Sequence, residues 1–168
     1  MGKSQNKKIK NASKSISNNI TFKSKLEKTV YDCLLELGFN PEYEPKTFTL
    51  WPGFTPVTPF YDKETDTQKK KRDPKNKTPR LLTLKEANVI GIRYTPDFYF
   101  RYKDLDVYIE AKGIENDVYY IKKKLFRKYL DTILETRKQK SIYFEIYTKK
   151  QLLQAVDIIK EYGDNKED

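Results

Sequence analysis

Two short runs of alternating side chains, separated by a four-residue link, constrain this chain more than any other feature. In the first, Phe98, Phe100 and Tyr102 alternate with Asp97, Tyr99 and Arg101, and a period of two sends the two sets to opposite faces of a β-strand. In the second, Val107, Ile109 and Ala111 alternate with Tyr108, Glu110 and Lys112. The link Lys103-Asp104-Leu105-Asp106 is short and polar enough to turn the chain as a hairpin. Pairing the runs brings Asp97, at the start of one strand, to Glu110 and Lys112 at the end of the other. Two carboxylates and an ammonium then converge while aliphatic groups anchor the opposite face.

Carboxylate oxygens suit hard cations such as magnesium or manganese, which hold phosphate oxygens and make a bound water more acidic. A lysine beside them orients or deprotonates that water, or neutralises charge developing on phosphorus. Phosphodiester hydrolysis is the reaction such a cluster suits. The competing reading is an ordinary exposed hairpin carrying a surface ion pair. Acid-x-lysine also occurs at Glu44-Pro-Lys46 and Asp73-Pro-Lys75, but there it lacks alternating apolar partners.

A chain of 168 residues fits one domain, and its net charge of +10 favours a polyanionic partner. Histidine is absent, which removes serine–histidine triads, HNH-type nucleases and histidine-ligated metals. The single cysteine, Cys33, excludes an internal disulfide. Without an apolar run of membrane-spanning length or a signal-peptide pattern, the expected setting is cytoplasmic, with no membrane partner.

Along the chain, Met1–Asn19 reads as a disordered basic tail. Residues 22–37 carry Phe22, Leu26, Val30, Cys33, Leu34 and Leu37 at helical spacing, with Gly38 as the stop. Tyr43–Leu50 reads as an extended strand interrupted near Pro45, and Glu44 as a surface group. Residues 51–84 lose periodicity and form an insertion whose aromatics Trp51, Phe54, Phe60 and Tyr61, set among prolines, are expected to pack it against the body, with stacking on unpaired bases as the alternative. Its part at 64–80 reads as a flexible basic loop, with Lys69, Lys70, Lys71, Arg72, Lys75 and Lys77 as phosphate contacts. Beyond Gly113, Asn116 caps a helix with Val118, Ile121, Leu125 and Tyr129 as its apolar stripe, and Lys123 joins the nucleic-acid-binding set. Ser141–Tyr147 is a strand. Thr148 and Gln151 open a last helix that ends at Gly163, leaving the acidic residues 164–168 as a frayed tail. The domain expected is 20–163, an α/β arrangement with a central mixed β-sheet flanked by helices and a basic loop insertion.

The wording YTPDF…IEAKG, with Pro96-Asp97 followed by Glu110-x-Lys112, resembles the PD-(D/E)XK nuclease superfamily, which includes restriction endonucleases and Holliday-junction resolvases. With the following VYYIKKKLF it is similar to small phage and prophage nucleases, over roughly residues 20–50 and 90–147. The resemblance implies a restriction-endonuclease-like core and a magnesium- or manganese-dependent endodeoxyribonuclease of phage or mobile-element origin, serving recombination or replication. Branched DNA, such as a Holliday junction, is the implied substrate and a homodimer the implied assembly. Asp97, Glu110 and a carbonyl of Ala111 would bind metal, and Lys112 would activate water. Glu27, from the first helix, would support the metal. Ser24-Lys-Leu-Glu27 also has capping-box spacing, so Glu27 as a simple helix cap stands beside that role. Lys122 would contact the scissile phosphate. The alternatives are a nicking or flap nuclease without junction preference, and a non-catalytic basic nucleic-acid-binding protein on the same scaffold.

Overall fold

The computed structural model describes residues 14–113 and 116–164. Most of the expected basic tail, and residues 165–168 of the acidic one, lie outside them. Where the tail's last residues are described, they are a hairpin: β1 (Ser15–Ser17) pairs antiparallel with β2 (Ile20–Phe22). Asn18 and Asn19 between them have φ of 45° and 65°, the left-handed pair that a two-residue hairpin loop requires and asparagine tolerates. Phe22, expected on the first helix, closes β2 instead. The Ser24 hydroxyl accepts from the Glu27 amide at 3.1 Å and sets the start of α1 (Lys25–Glu36). The strand expected over Tyr43–Leu50 is two pieces, β3 (Glu42–Tyr43) and β4 (Phe48–Trp51), because Glu44 turns at φ 47° ahead of Pro45.

The chain then divides into two compact units: Trp51–Ile92 form one, and the residues before and after form the other. The insertion thus begins where expected and runs eight residues further. Within it, the segment 64–80 expected as a loop contains α2 (Asp66–Arg72), and it is flanked by β5 (Tyr61–Lys63) and β6 (Leu82–Leu84), which pair antiparallel. Helical periodicity is invisible there because α2 buries no residue. Its order comes from a Thr65–Gln68 capping box and from Glu64, which is buried and takes the guanidinium of Arg72 on both oxygens. Polar ties, rather than an apolar stripe, hold this unit.

In the larger unit, β7 (Ile92–Tyr94) pairs with β4. β8 (Phe98–Tyr102) and β9 (Leu105–Ala111) form the expected hairpin, and α3 (Asp117–Arg137) leads to β10 (Ser141–Ile146). The strand order β10-β9-β8-β3 is mixed, with β10 parallel to β9 and the other neighbours antiparallel. α4 (Lys149–Asp164) follows, opened by the expected Thr148–Gln151 reciprocal bonds and running one residue past Gly163. Among the described residues no helix is long and apolar enough to cross a membrane.

The period-two pattern gives the sheet two unlike faces. Phe98, Phe100, Val107, Ile109 and Ala111 join α1 and α4 in one apolar core. Phe48, Tyr94 and Tyr108 pack with Tyr119, Phe126 and Leu130 of α3 in a second, aromatic one. The buried stripe of α3 therefore lies one position from the expected one, and Val118 and Ile121 are exposed. Both stripes have helical spacing. The aromatic one wins because Phe126 meets the rings of Phe48, Tyr94 and Tyr108 at centroid distances of 4.8–5.4 Å.

Candidate active site

The hairpin register places the two acids. Phe98 faces Ile109, so Asp97, one step beyond, falls opposite Glu110. Asp97 Oδ2 accepts the Ala111 amide at 2.8 Å, and its Oδ1 has no hydrogen bond to any described residue. Glu110 is buried. It accepts the Tyr94 hydroxyl at 2.7 Å on Oε2 and Lys112 Nζ at 2.9 Å on Oε1. The same ammonium stands 3.9 Å from the centroid of the Tyr119 ring. Asp97, Glu110, Ala111, Lys112, Glu27 and Lys122 all line one cleft of about 820 Å³.

Glu27 takes the cap role that the sequence left open, and it also lines the cleft. Its Oε2 accepts the Lys23 amide at 2.9 Å and its Oε1 the Ser24 hydroxyl at 2.9 Å, which ties down the start of α1. The Tyr43 hydroxyl adds a third bond at 2.6 Å. Buried and facing the cleft, Glu27 adds negative potential at Asp97.

Burial, and then the charge of Glu110, push the Asp97 carboxyl up to about 8, against the lowering effect of the Ala111 amide. On the α3 side, burial first and the neighbouring acids and hydroxyls next raise Tyr94 and Tyr119 well above the usual phenol range, and burial raises Tyr143 against the lowering effect of its bonds to the Tyr119 and Tyr94 hydroxyls. These three hydroxyls form a chain. Tyr94 meets Tyr143 at 3.1 Å, Tyr143 meets Tyr119 at 2.9 Å, and Tyr119 donates to Glu145 at 2.7 Å. Tyr94 spends its proton on Glu110 and Tyr119 spends its own on Glu145, so the single proton of Tyr143 serves one of its two neighbours at a time.

Among the described residues no group of three or more histidine, cysteine, aspartate or glutamate side chains is placed to hold a metal ion. Two carboxylates and the Ala111 backbone are the donors at hand. That set fits a hard divalent cation with the remaining positions left to water or substrate oxygen, as magnesium prefers. The fit rests on Asp97: a carboxylate raised by burial and then by its acidic neighbour, with one oxygen uncommitted.

The N-terminal turns of α1 and α3 supply Ser24, Lys25, Asn116 and Tyr119 to the rim. Helix starts favour anions through their free amides and dipole. Sequence reasoning missed Lys23, Arg93 and the cleft position of Glu44, which pairs with Lys23. That contact is an exposed ion pair, in keeping with the surface role expected for Glu44, and it is brought about by the turn before Pro45. The tyrosine chain was legible in one part, the shared face of Tyr143 and Glu145 in β10. Of the expected phosphate contacts, Lys123 is half-buried on Glu145 at 3.1 Å and Arg72 is spent on Glu64. Lys69, Lys70, Lys71, Lys75 and Lys77 belong to the smaller unit. No family model matches the chain, and comparison with curated proteins and with solved structures yields no significant match either.

Proposed function

We propose that this protein is a metal-dependent endonuclease of the PD-(D/E)XK type, cutting DNA phosphodiester bonds, with branched DNA such as a Holliday junction as the preferred substrate. One observation carries the reading: Asp97, with an uncommitted oxygen, opposite a Glu110 already joined to Lys112, in a cleft rimmed by two helix starts. Asp97, Glu110 and the Ala111 carbonyl would hold magnesium or manganese. Once bound, such an ion polarises phosphate oxygens and makes a coordinated water more acidic.

The chain's own residues would do the rest. Glu110, gripped by Tyr94 and Lys112, is fixed in one rotamer. Lys112 Nζ, between Glu110 and the Tyr119 ring, is positioned to orient the attacking water and to offset charge on the phosphorane-like transition state. Glu27 holds negative charge at the back of the cleft, and Lys122, Lys25 and Arg93 on the rim would receive the DNA backbone. A restriction-endonuclease-like core agrees with the mixed sheet between α1 with α4 and α3.

The test is incubation of purified protein with labelled four-way junction, flap, duplex and single-stranded DNA, with magnesium, manganese or chelator. The expected outcome is cleavage with either ion, none with chelator, junction cut fastest, and loss of cutting with retained binding in Asp97→Ala. Retained binding with no cleavage of any substrate under any divalent ion would favour a non-catalytic DNA-binding protein. Equal cutting of flap and junction would favour the nuclease without junction preference.

A further inference from the structure

The smaller unit, Trp51–Ile92, leaves apolar side chains in solvent to a degree that its own fold does not explain. In the β5–β6 ribbon Tyr61 lies directly across from Leu84 and Lys63 across from Leu82. The period of two puts all four on one face. Tyr61 is 58 % and Leu82 73 % exposed, and no element of the unit covers them. Phe54, 52 % exposed, lies across from Val89 in an isolated bridge, and Trp51 is 53 % exposed. Surface aromatics expected to pack away are thus presented.

The charges of the unit are divided just as unevenly. Three of its five acids are internally committed: Glu64 to Arg72, Asp66 to Arg80 and Asp73 to the amide and hydroxyl of Thr78, while Asp62 takes the Lys63 amide and Glu86 is in no ion pair among the described residues. Lys69, Lys70, Lys71, Lys75 and Lys77 have no ion pair among the described residues. Exposed apolar rings and ammonium groups without an ion pair, carried on one compact unit, match one ligand chemistry, a flexible polyanion that carries flat apolar groups. Duplex DNA hides its base faces; a single strand presents them.

We propose that Trp51–Ile92 is a binding site for unpaired nucleotides, in which Tyr61 and Phe54 stack on bases and Lys69, Lys70 and Lys71 take phosphates. The site deepens the nuclease reading, on which its biological role rests, because branched DNA offers unpaired bases beside duplex arms. Its ligand can be tested without cleavage.

Trp51 is the chain's single tryptophan and the first residue of the unit, where β4 enters it, so its fluorescence reports on that edge of the unit. The full chain is titrated in chelator with a 5′-labelled oligothymidylate of about twenty nucleotides and with duplex of equal length, a span that exceeds one stacking site. Trp51 emission and label anisotropy are followed together. Expected are quenching by the single strand and not by duplex, and about tenfold weaker single-strand binding for Tyr61→Ala, the loss of roughly one stacked base. Tyr61→Phe, which keeps the ring, retains affinity, and that separates stacking from misfolding. Lys70→Gln lowers the slope of log affinity against log salt by about 0.7, the share of one phosphate contact, whereas Tyr61→Ala leaves it unchanged.

The proposal is overturned if Trp51 stays silent while the strand binds, or if Tyr61→Ala is neutral. It is overturned equally if Trp51 emission shifts with protein concentration alone, which would make a second copy the occupant of this face. Quenching without any cleavage would sink the nuclease reading and leave this site standing; cleavage with a silent Trp51 would do the reverse.

Discussion

A carboxylic acid in the position of Asp97 is comfortable neutral and costly charged. Its folded-state value is raised by burial and by Glu110, so the acid adds nothing against folding at low pH and opposes it increasingly as pH climbs from the ordinary carboxylate range through about 8. In chelator, Asp97→Asn should therefore gain melting temperature relative to wild type as pH rises from about 5 to about 8.5, by at least about 3 °C for a domain of this size. Parallel melting curves across that window would contradict the assignment. Tyr94 acts through Glu110. Tyr94→Phe, keeping the ring in the aromatic core, should weaken magnesium or manganese binding about tenfold or more, the usual effect of removing a group that orients a ligand. Calorimetric titration reads this directly, and unchanged affinity would reduce Tyr94 to a packing residue.

Among the elements, α3 shows where a pattern in the chain runs out. Val118, Ile121, Leu125 and Tyr129 are spaced as a helix stripe should be, yet Tyr119, Phe126 and Leu130 are the buried set. The two stripes differ by one residue, about a 100° rotation. Only the ring-lined hollow made by Phe48, Tyr94 and Tyr108 decides between them, and no local rule contains that information. Phe126→Ala should cost about 3–5 kcal/mol in urea unfolding, whereas Ile121→Ala should stay within about 0.5 kcal/mol. The reverse order would mean that the helix is turned the other way. The β8–β9 hairpin was legible because its signal is local: alternation fixes the faces, a short link fixes the pairing, and together they fix Asp97 against Glu110. Glu27 was legible as a cap by its four-residue spacing from Ser24, whereas its place in the cleft was implied only by the resemblance. Lys23 and Glu44 were not, since their pairing depends on a backbone turn at Glu44 that a single proline only hints at.

At the scale of the molecule, two units are held by different means. The larger rests on two packed faces of a mixed sheet, and the smaller on a capping box, short ribbons and the buried Glu64. Arg72→Ala strips Glu64 of its counter-charge in a place with little apolar core to compensate. It should open the peptide bonds between Tyr61 and Leu84 to limited proteolysis while the sheet of the larger unit stays protected, as mass spectrometry of the fragments would show. Uniform resistance would contradict the dependence on that pair. The central claim concerns the larger unit alone, and manganese binding tests it before any substrate is chosen. Free manganese followed by electron paramagnetic resonance should reveal a site in the wild type that is lost in both Asp97→Asn and Glu110→Gln, with folding unchanged by circular dichroism. Equal manganese uptake by all three proteins, or none by the wild type, would contradict the assignment of Asp97 and Glu110 as the seat of a divalent ion.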